Sequence, residues 1–173
     1  QLDPSRCEYY ISYRSPSLKE HPERLRPVSE GYHFYPLATE MNLDILTSIA
    51  QLIYLRWGIT GLGIGKRLDR AYKREWQKHF GCASFDHVVH YDGYENYMIA
   101  LLKTAPCTRT IWAHSDMEKW MAEKHNPSRP LLQNAYASYD HVVPVGEDVK
   151  ESAEHIGGHP EKVLVISNFM DYR

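Results

Sequence analysis

The sequence predicts an α/β fold built around a parallel sheet. The first observation is the stretch from Phe85 to Asp116, which reads as strand, polar turn, helix, strand, polar turn. Strand and helix patterns that alternate in this way imply a parallel βαβ unit. The second is that the alternation continues, from strand His141–Val145 through helix Glu147–Ile156 to a last apolar run, Val163–Ile166. The third is that each run ends in polar, glycine-bearing or capping residues. Such sheets bind ligands in the crevice beyond the carboxyl ends of their strands, so function is sought at those ends.

Each element has its own warrant. Tyr9–Arg14 alternates weakly and is expected to be a strand. Leu18–Pro36 is rich in proline and charge and reads as an irregular connection, with a short strand at Tyr32–Leu37 limited by Pro36. From Asn42 to Trp57, Leu43, Leu46, Ile49, Ala50, Ile53 and Trp57 recur at helical spacing, with Asn42 as the expected N-cap. This segment is shorter than the ~20 residues that span a bilayer. It is either a buried helix or one that meets a membrane surface or a partner. Gly58–Gly65 fails the P-loop pattern at both ends and follows a helix rather than a strand, so it is read as a joint between helices. Ile64–Phe80 is a basic amphipathic helix whose outer face meets solvent, or else anionic lipid or an acidic substrate.

Within the core, the strand Phe85–Tyr91 breaks at Asp92-Gly93. A helix follows from Tyr94 to Lys103, then the strand Thr110–Ala113. Met117–Lys124 is a helix capped by Asp116 or Ser115. Ser128 is expected to cap a helix running to Tyr139, with Pro130 in its first turn. Pro144 places the next strand at an edge or marks its last residues.

Composition sets the bounds. The chain has 173 residues, enough for one domain with a real core. It is expected to form one α/β domain over 1–173, with an irregular and helical first part, 1–84, and a βαβ core, 85–173. A formal net charge of −2 leaves no footprint for nucleic acid, and none is expected as a partner. Cys7, Cys82 and Cys107 form no CxxC pair, which suits a reducing compartment and a cytoplasmic location. The first residue is Gln1, and the chain is expected to be a piece of a longer protein.

The candidate site is the row of strand ends: Asp92-Gly93-Tyr94, His114-Ser115-Asp116, Gly146-Glu147-Asp148 and Ser167-Asn168. Each stands near a helix N-terminus, where free amides and the dipole favour anionic oxygen, so the edge suits a phosphate or a sugar. His114 is the residue singled out, because imidazole titrates near neutrality and can hold a hydroxyl or answer a developing charge. The bland alternative is a histidine bonded to a backbone carbonyl at a strand end. His87 and His90 stand three apart on a strand and point to opposite faces, so no metal site is expected there. No Gly-x-Ser-x-Gly elbow and no Cys beside a candidate catalytic His supports a hydrolase.

The segments FDHVVHYDGY, RTIWAHSDM, YASYDHVVPVGEDVKE and PEKVLVISNFMD resemble the N-terminal half of GT-B glycosyltransferases of the family-four, group 1 type. Asp86, His114, Asp116, Asp140, Asn168 and Asp171 occupy the matching places. The match covers residues 85–173 well and 1–84 only in general layout, and its aromatic-rich version is nearest to enzymes of teichoic acid and other surface-polymer synthesis. Ser115 stands between His114 and Asp116, where many members have the pair adjacent, and Gly146 stands where a serine is usual.

The resemblance implies a Rossmann-like parallel sheet with helices on both faces, part of an acceptor-side domain. The nucleotide-sugar donor is then held mainly by a C-terminal domain beyond Arg173. His114 assists catalysis beside the donor sugar. Asp92, Gly93, Tyr94, Ser115, Asp116, Gly146 and Asn168 line the acceptor and substrate side. The chemistry is retaining transfer to a glycan, polymer or lipid-linked acceptor, without metal or cofactor, at the inner face of a membrane. The fragment by itself is expected to be inactive. The rivals are a glycerophosphotransferase of surface-polymer synthesis and a non-catalytic α/β module that captures a sugar or phosphate.

Overall fold

A computed structural model describes residues 6–14, 32–37, 41–81, 83–124 and 126–168. The expected irregular connection before Tyr32 and the carried-over position Asp171 lie outside the described residues. The chain divides into two compact units, 1–41 and 42–173. In the first, β1 (Tyr9–Arg14) and β2 (Tyr32–Leu37) pair in parallel, in register from Tyr9 with Tyr32 to Arg14 with Leu37. The rings of Tyr10 and His33 stack at 4.7 Å, and His33 meets Glu8 at 2.8 Å.

The second unit is α/β with a three-stranded parallel sheet. Its elements are α1 (Ile45–Trp57), α2 (Ile64–Phe80), β3 (His87–His90), α3 (Asn96–Leu102), β4 (Thr108–Ala113), α4 (Met117–Lys124), α5 (Arg129–Ser138), β5 (His141–Pro144) and α6 (Glu147–Gly157). The strands lie in the order β3-β4-β5. The expected last strand, Val163–Ile166, forms a single parallel bridge from Val163 to Val142. The amides of Leu164 and Ile166 also donate to the carbonyls of Val142 and Pro144, so the segment lies along β5 as a partial fourth strand.

Because the strands step in one direction, right-handed crossovers bring the connecting helices to the same face. That face carries His90, Ile111, Ala113, Val142 and Pro144, all buried. Alternation sends Val89, Tyr91, Trp112, His114 and Leu164 to the opposite face. There Val89, Tyr91, Leu164 and Ile166 are exposed, while Thr110 and Val143 on the same face are buried. Helices were expected on both faces; the crossovers between the described strands run on one. The helices α1 and α2 form a further layer, α1 packing on α5 and α2 on α3. They therefore belong to the same unit as the sheet, which begins at residue 42.

Tyr72, Tyr136, Tyr139, Ile99, Leu101, Leu131 and Leu132 are fully buried between these layers. Two local expectations change. Asp44, not Asn42, caps α1, its carboxylate accepting from the Thr47 amide at 3.0 Å and the Thr47 hydroxyl at 2.7 Å. Ser128 stands at the N-cap position of α5, but its hydroxyl makes no cap. It donates instead to the Leu55 carbonyl at 2.6 Å, tying α5 to the end of α1. The joint 58–65 does link two helices, with Gly58, Leu62 and Gly63 all at positive φ.

Candidate functional site

The strand ends of β3 and β4 come together tightly. Gly93 is buried where a Cβ would stand 2.6 Å from the Trp112 carbonyl oxygen, so the turn after β3 lies directly against β4. No side chain fits there without moving backbone, which is a packing reason for glycine at this position. The close approach brings Tyr91 over β4. Its ring lies 5.3 Å from Trp112 and 4.5 Å from His114, and Trp112 stacks on His114 at 5.8 Å. Tyr91, Trp112 and His114 thus form one aromatic group on the open face of the sheet.

His114 is half-buried, and its Nε2 lies 2.7 Å from the Tyr91 carbonyl oxygen. A carbonyl only accepts, so Nε2 carries the proton. The neutral ring then presents an unprotonated Nδ1, which makes no hydrogen bond among the described residues. The carbonyl contact is the bland arrangement that the sequence allowed for. It also fixes the tautomer and the ring orientation, which a histidine acting through Nδ1 requires.

Tyr94 Oη and Ser115 Oγ share a hydrogen bond of 2.9 Å, and the Tyr94 ring lies 4.7 Å from Trp120 of α4. Asp116 has a structural occupation. Its Oδ1 accepts from the amides of Glu118 (3.1 Å) and Lys119 (3.2 Å), capping α4, and its Oδ2 lies 3.0 Å from Lys119 Nζ. Hydrogen bonds from the Lys119 side chain and its amide hold the Asp116 carboxyl below its usual range. Asp92 is exposed on the turn beside Gly93. Gly146 precedes α6 in extended backbone, with the Asp148 carboxylate folded back over it. Asn168 is exposed at the end of the partial strand. Among the described residues no hydrogen bond joins Gly146 or Asn168 to the His114 group.

The structure groups His114 with Tyr91 and Trp112, and separately pairs Ser115 with Tyr94. It leaves Gly146 and Asn168 along the same sheet edge, and it commits Asp116 to a helix. Sequence reasoning missed Tyr91, Trp112 and Trp120. The signal was available for Trp112, because two residues before His114 on a strand means the same face. Another carried-over acid, Asp140, serves the opposite end of the sheet. Its Oδ2 accepts from the Arg109 amide at 2.8 Å and lies 3.4 Å from Arg109 Nε. His87 bonds Thr110 Oγ1 at 2.8 Å on the open face, while His90 is buried on the other, so the two rings point apart. Among the described residues no cluster of three His, Cys, Asp or Glu side chains has metal-binding geometry.

What the arrangement offers is one imidazole acceptor of fixed orientation, a paired tyrosine and serine hydroxyl, and an open aromatic surface. Aromatic faces with a few fixed polar groups are a common lining for small-molecule sites. No protein-family model matches the chain, and no curated protein matches it in sequence.

Proposed function

We propose that the chain is the acceptor-side part of a retaining glycosyltransferase of GT-B architecture, acting in surface-polymer synthesis. It moves a sugar from a nucleotide-sugar donor to a glycan, polymer or lipid-linked acceptor. The observation that carries the proposal is His114, with Nε2 tied to the Tyr91 carbonyl and Nδ1 turned free at the carboxyl edge of a parallel sheet. An imidazole held in that tautomer accepts a hydrogen bond from a sugar hydroxyl and orients the ring as the glycosidic bond to the diphosphate lengthens. The Tyr94–Ser115 hydroxyl pair supplies a donor and an acceptor for the acceptor substrate, and the Tyr91 and Trp112 rings offer apolar surface to a pyranose face. The leaving diphosphate is stabilised electrostatically by groups mainly outside this chain.

The test is nucleotide release by the full-length polypeptide across a panel of nucleotide sugars. His114→Ala is expected to lower turnover about 10²- to 10³-fold, the range for losing one aligned transition-state hydrogen bond. Folding should be little changed, because the ring lies on the open face. Release from an activated glycerol donor alone would move the reading to glycerophosphotransfer. A well-folded protein silent with every donor would leave a binding module.

A further inference from the structure

Helix α1 is packed inside out. The face it turns inward is Thr47, Ala50 and Tyr54. The face it turns outward is Ile45, Leu46, Ile49 and Leu52, each 50–79% exposed, with Trp57 63% exposed at its end. A globular helix buries its branched aliphatics, so this stripe asks for an apolar neighbour. The joint that follows continues it. Ile59 is exposed, and Leu62 is fully in solvent although it holds the left-handed conformation (φ 51°) that bulky residues avoid.

Beside the joint the surface is cationic. Leu62, Gly63 and Thr47 line an open depression of about 640 Å³ together with Arg67, Arg70 and Arg74. Helix α2 carries Lys66, Arg67, Arg70, Lys73, Arg74 and Lys78 outward; of its two acids, Glu75 is buried. Within the cluster Asp44 answers Arg67 at 3.4 Å, and Thr47 hydrogen bonds hold that carboxyl ionised below its usual range. Arg70 and Arg74 are left to face outward, in a chain whose formal net charge is −2.

We infer that α1, the 58–65 joint and the arginines of α2 dock on an anionic phospholipid surface. The exposed aliphatics and Trp57 enter the headgroup boundary, and the guanidinium groups bind lipid phosphates beside them. Among the described residues no helix is long and apolar enough to cross a membrane, so α1 lies on the surface. Nucleic acid would match the arginines but not the aliphatic stripe. A second copy would match the stripe, but a two-fold interface there brings two arginine clusters against each other. This inference stands on the α1–α2 surface alone and does not depend on the transferase reading.

The experiment is co-sedimentation of the 173-residue chain with large vesicles of phosphatidylcholine, with or without about 30% phosphatidylglycerol. Two variants are compared: Leu46→Ser/Ile49→Ser/Leu52→Ser, and Arg70→Gln/Arg74→Gln, which leaves the Arg67–Asp44 contact intact. Their folding is verified by far-UV circular dichroism. Binding to the anionic vesicles is expected to be at least tenfold tighter than to neutral ones. Each variant should weaken it at least tenfold, and 0.5 M salt should weaken it too. Equal binding to both vesicle types, no binding to either, or unchanged binding by both folded variants overturns the proposal. So does a lipid-free dimer, seen by sedimentation velocity, that the serine variant dissociates.

Discussion

The two faces of the β3-β4-β5 sheet each hold a histidine near the carboxyl end of a strand, and the two have opposite surroundings. His90, at the end of β3, is 3% exposed on the helix-covered face, and neither ring nitrogen makes a hydrogen bond among the described residues. His114, just after β4, lies on the open face with one nitrogen tied to a carbonyl and the other available. The residue type is the same, and the position relative to the sheet edge is nearly so. Burial alone makes one a neutral filler of the core and leaves the other able to meet a ligand. A histidine at a strand end is therefore informative only once the covered face of the sheet is known.

The contrast is tested most strongly by cutting into each face. Ile111 is fully buried on the closed face. Ile111→Ala is expected to cost about 4 kcal/mol, combining lost transfer energy with the cavity left behind. Leu164, 55% exposed on the open face, should lose no more than about 1 kcal/mol on replacement by Ala. Urea denaturation of the two variants decides the matter. Losses of equal size would mean that the open face is covered after all.

A middle-sized effect comes from His90 itself. Burial pushes its pKa down to about 3. In the unfolded chain the same ring has a pKa of about 6.5. As pH falls below about 6.5 the unfolded state takes up a proton that the folded state refuses, so stability falls until the folded pKa is reached. Between pH 6.5 and 5 the loss is about 2 kcal/mol, from about 1.4 kcal/mol per unit. Stability measured against pH should flatten over that window in His90→Phe. A variant with the same slope as the wild type would show that His90 is not the group responsible.

The sequence disclosed the periodic elements best. Helix α2 runs from Ile64 to Phe80 as its basic amphipathic pattern required, and all three sheet strands fall within or overlap the apolar runs assigned to them. What it hid were contacts across long separations. Ser128 looked like a cap because serine at that spacing usually is one, but its acceptor is the Leu55 carbonyl, 73 residues earlier. Nothing local to Ser128 carries that information. The partner of His114 is likewise a backbone carbonyl at Tyr91, which no side-chain pattern reveals. Helix α1 misled in a different way. Its apolar spacing was legible, but spacing fixes only which residues share a face; whether that face turns in or out depends on α2 and α5, which meet α1 through Thr47, Ala50 and Tyr54 instead.

The smallest test concerns Asp116, the residue whose assignment as a ligand-binding group competes most directly with a structural one. As the cap of α4 it accepts two amides, so Asp116→Ala should cost about 1 kcal/mol. Asp116→Asn keeps an acceptor for those amides and should lose only a few tenths, mainly the contribution of the charge at the helix N-terminus. Because its folded pKa lies below the usual carboxylate value, that charge contributes above about pH 4 and is lost as the pH falls through the lowered value. The pair Ala and Asn thus separates the two roles. A structural cap gives the order wild type, Asn, Ala in thermal stability, with substrate affinity unchanged in the folded variants. A carboxylate that grips a substrate hydroxyl gives the reverse signature: KM raised by Asn as much as by Ala, with little change in Tm. With both carboxylate oxygens already engaged by α4 and Lys119, the first pattern is the expected one.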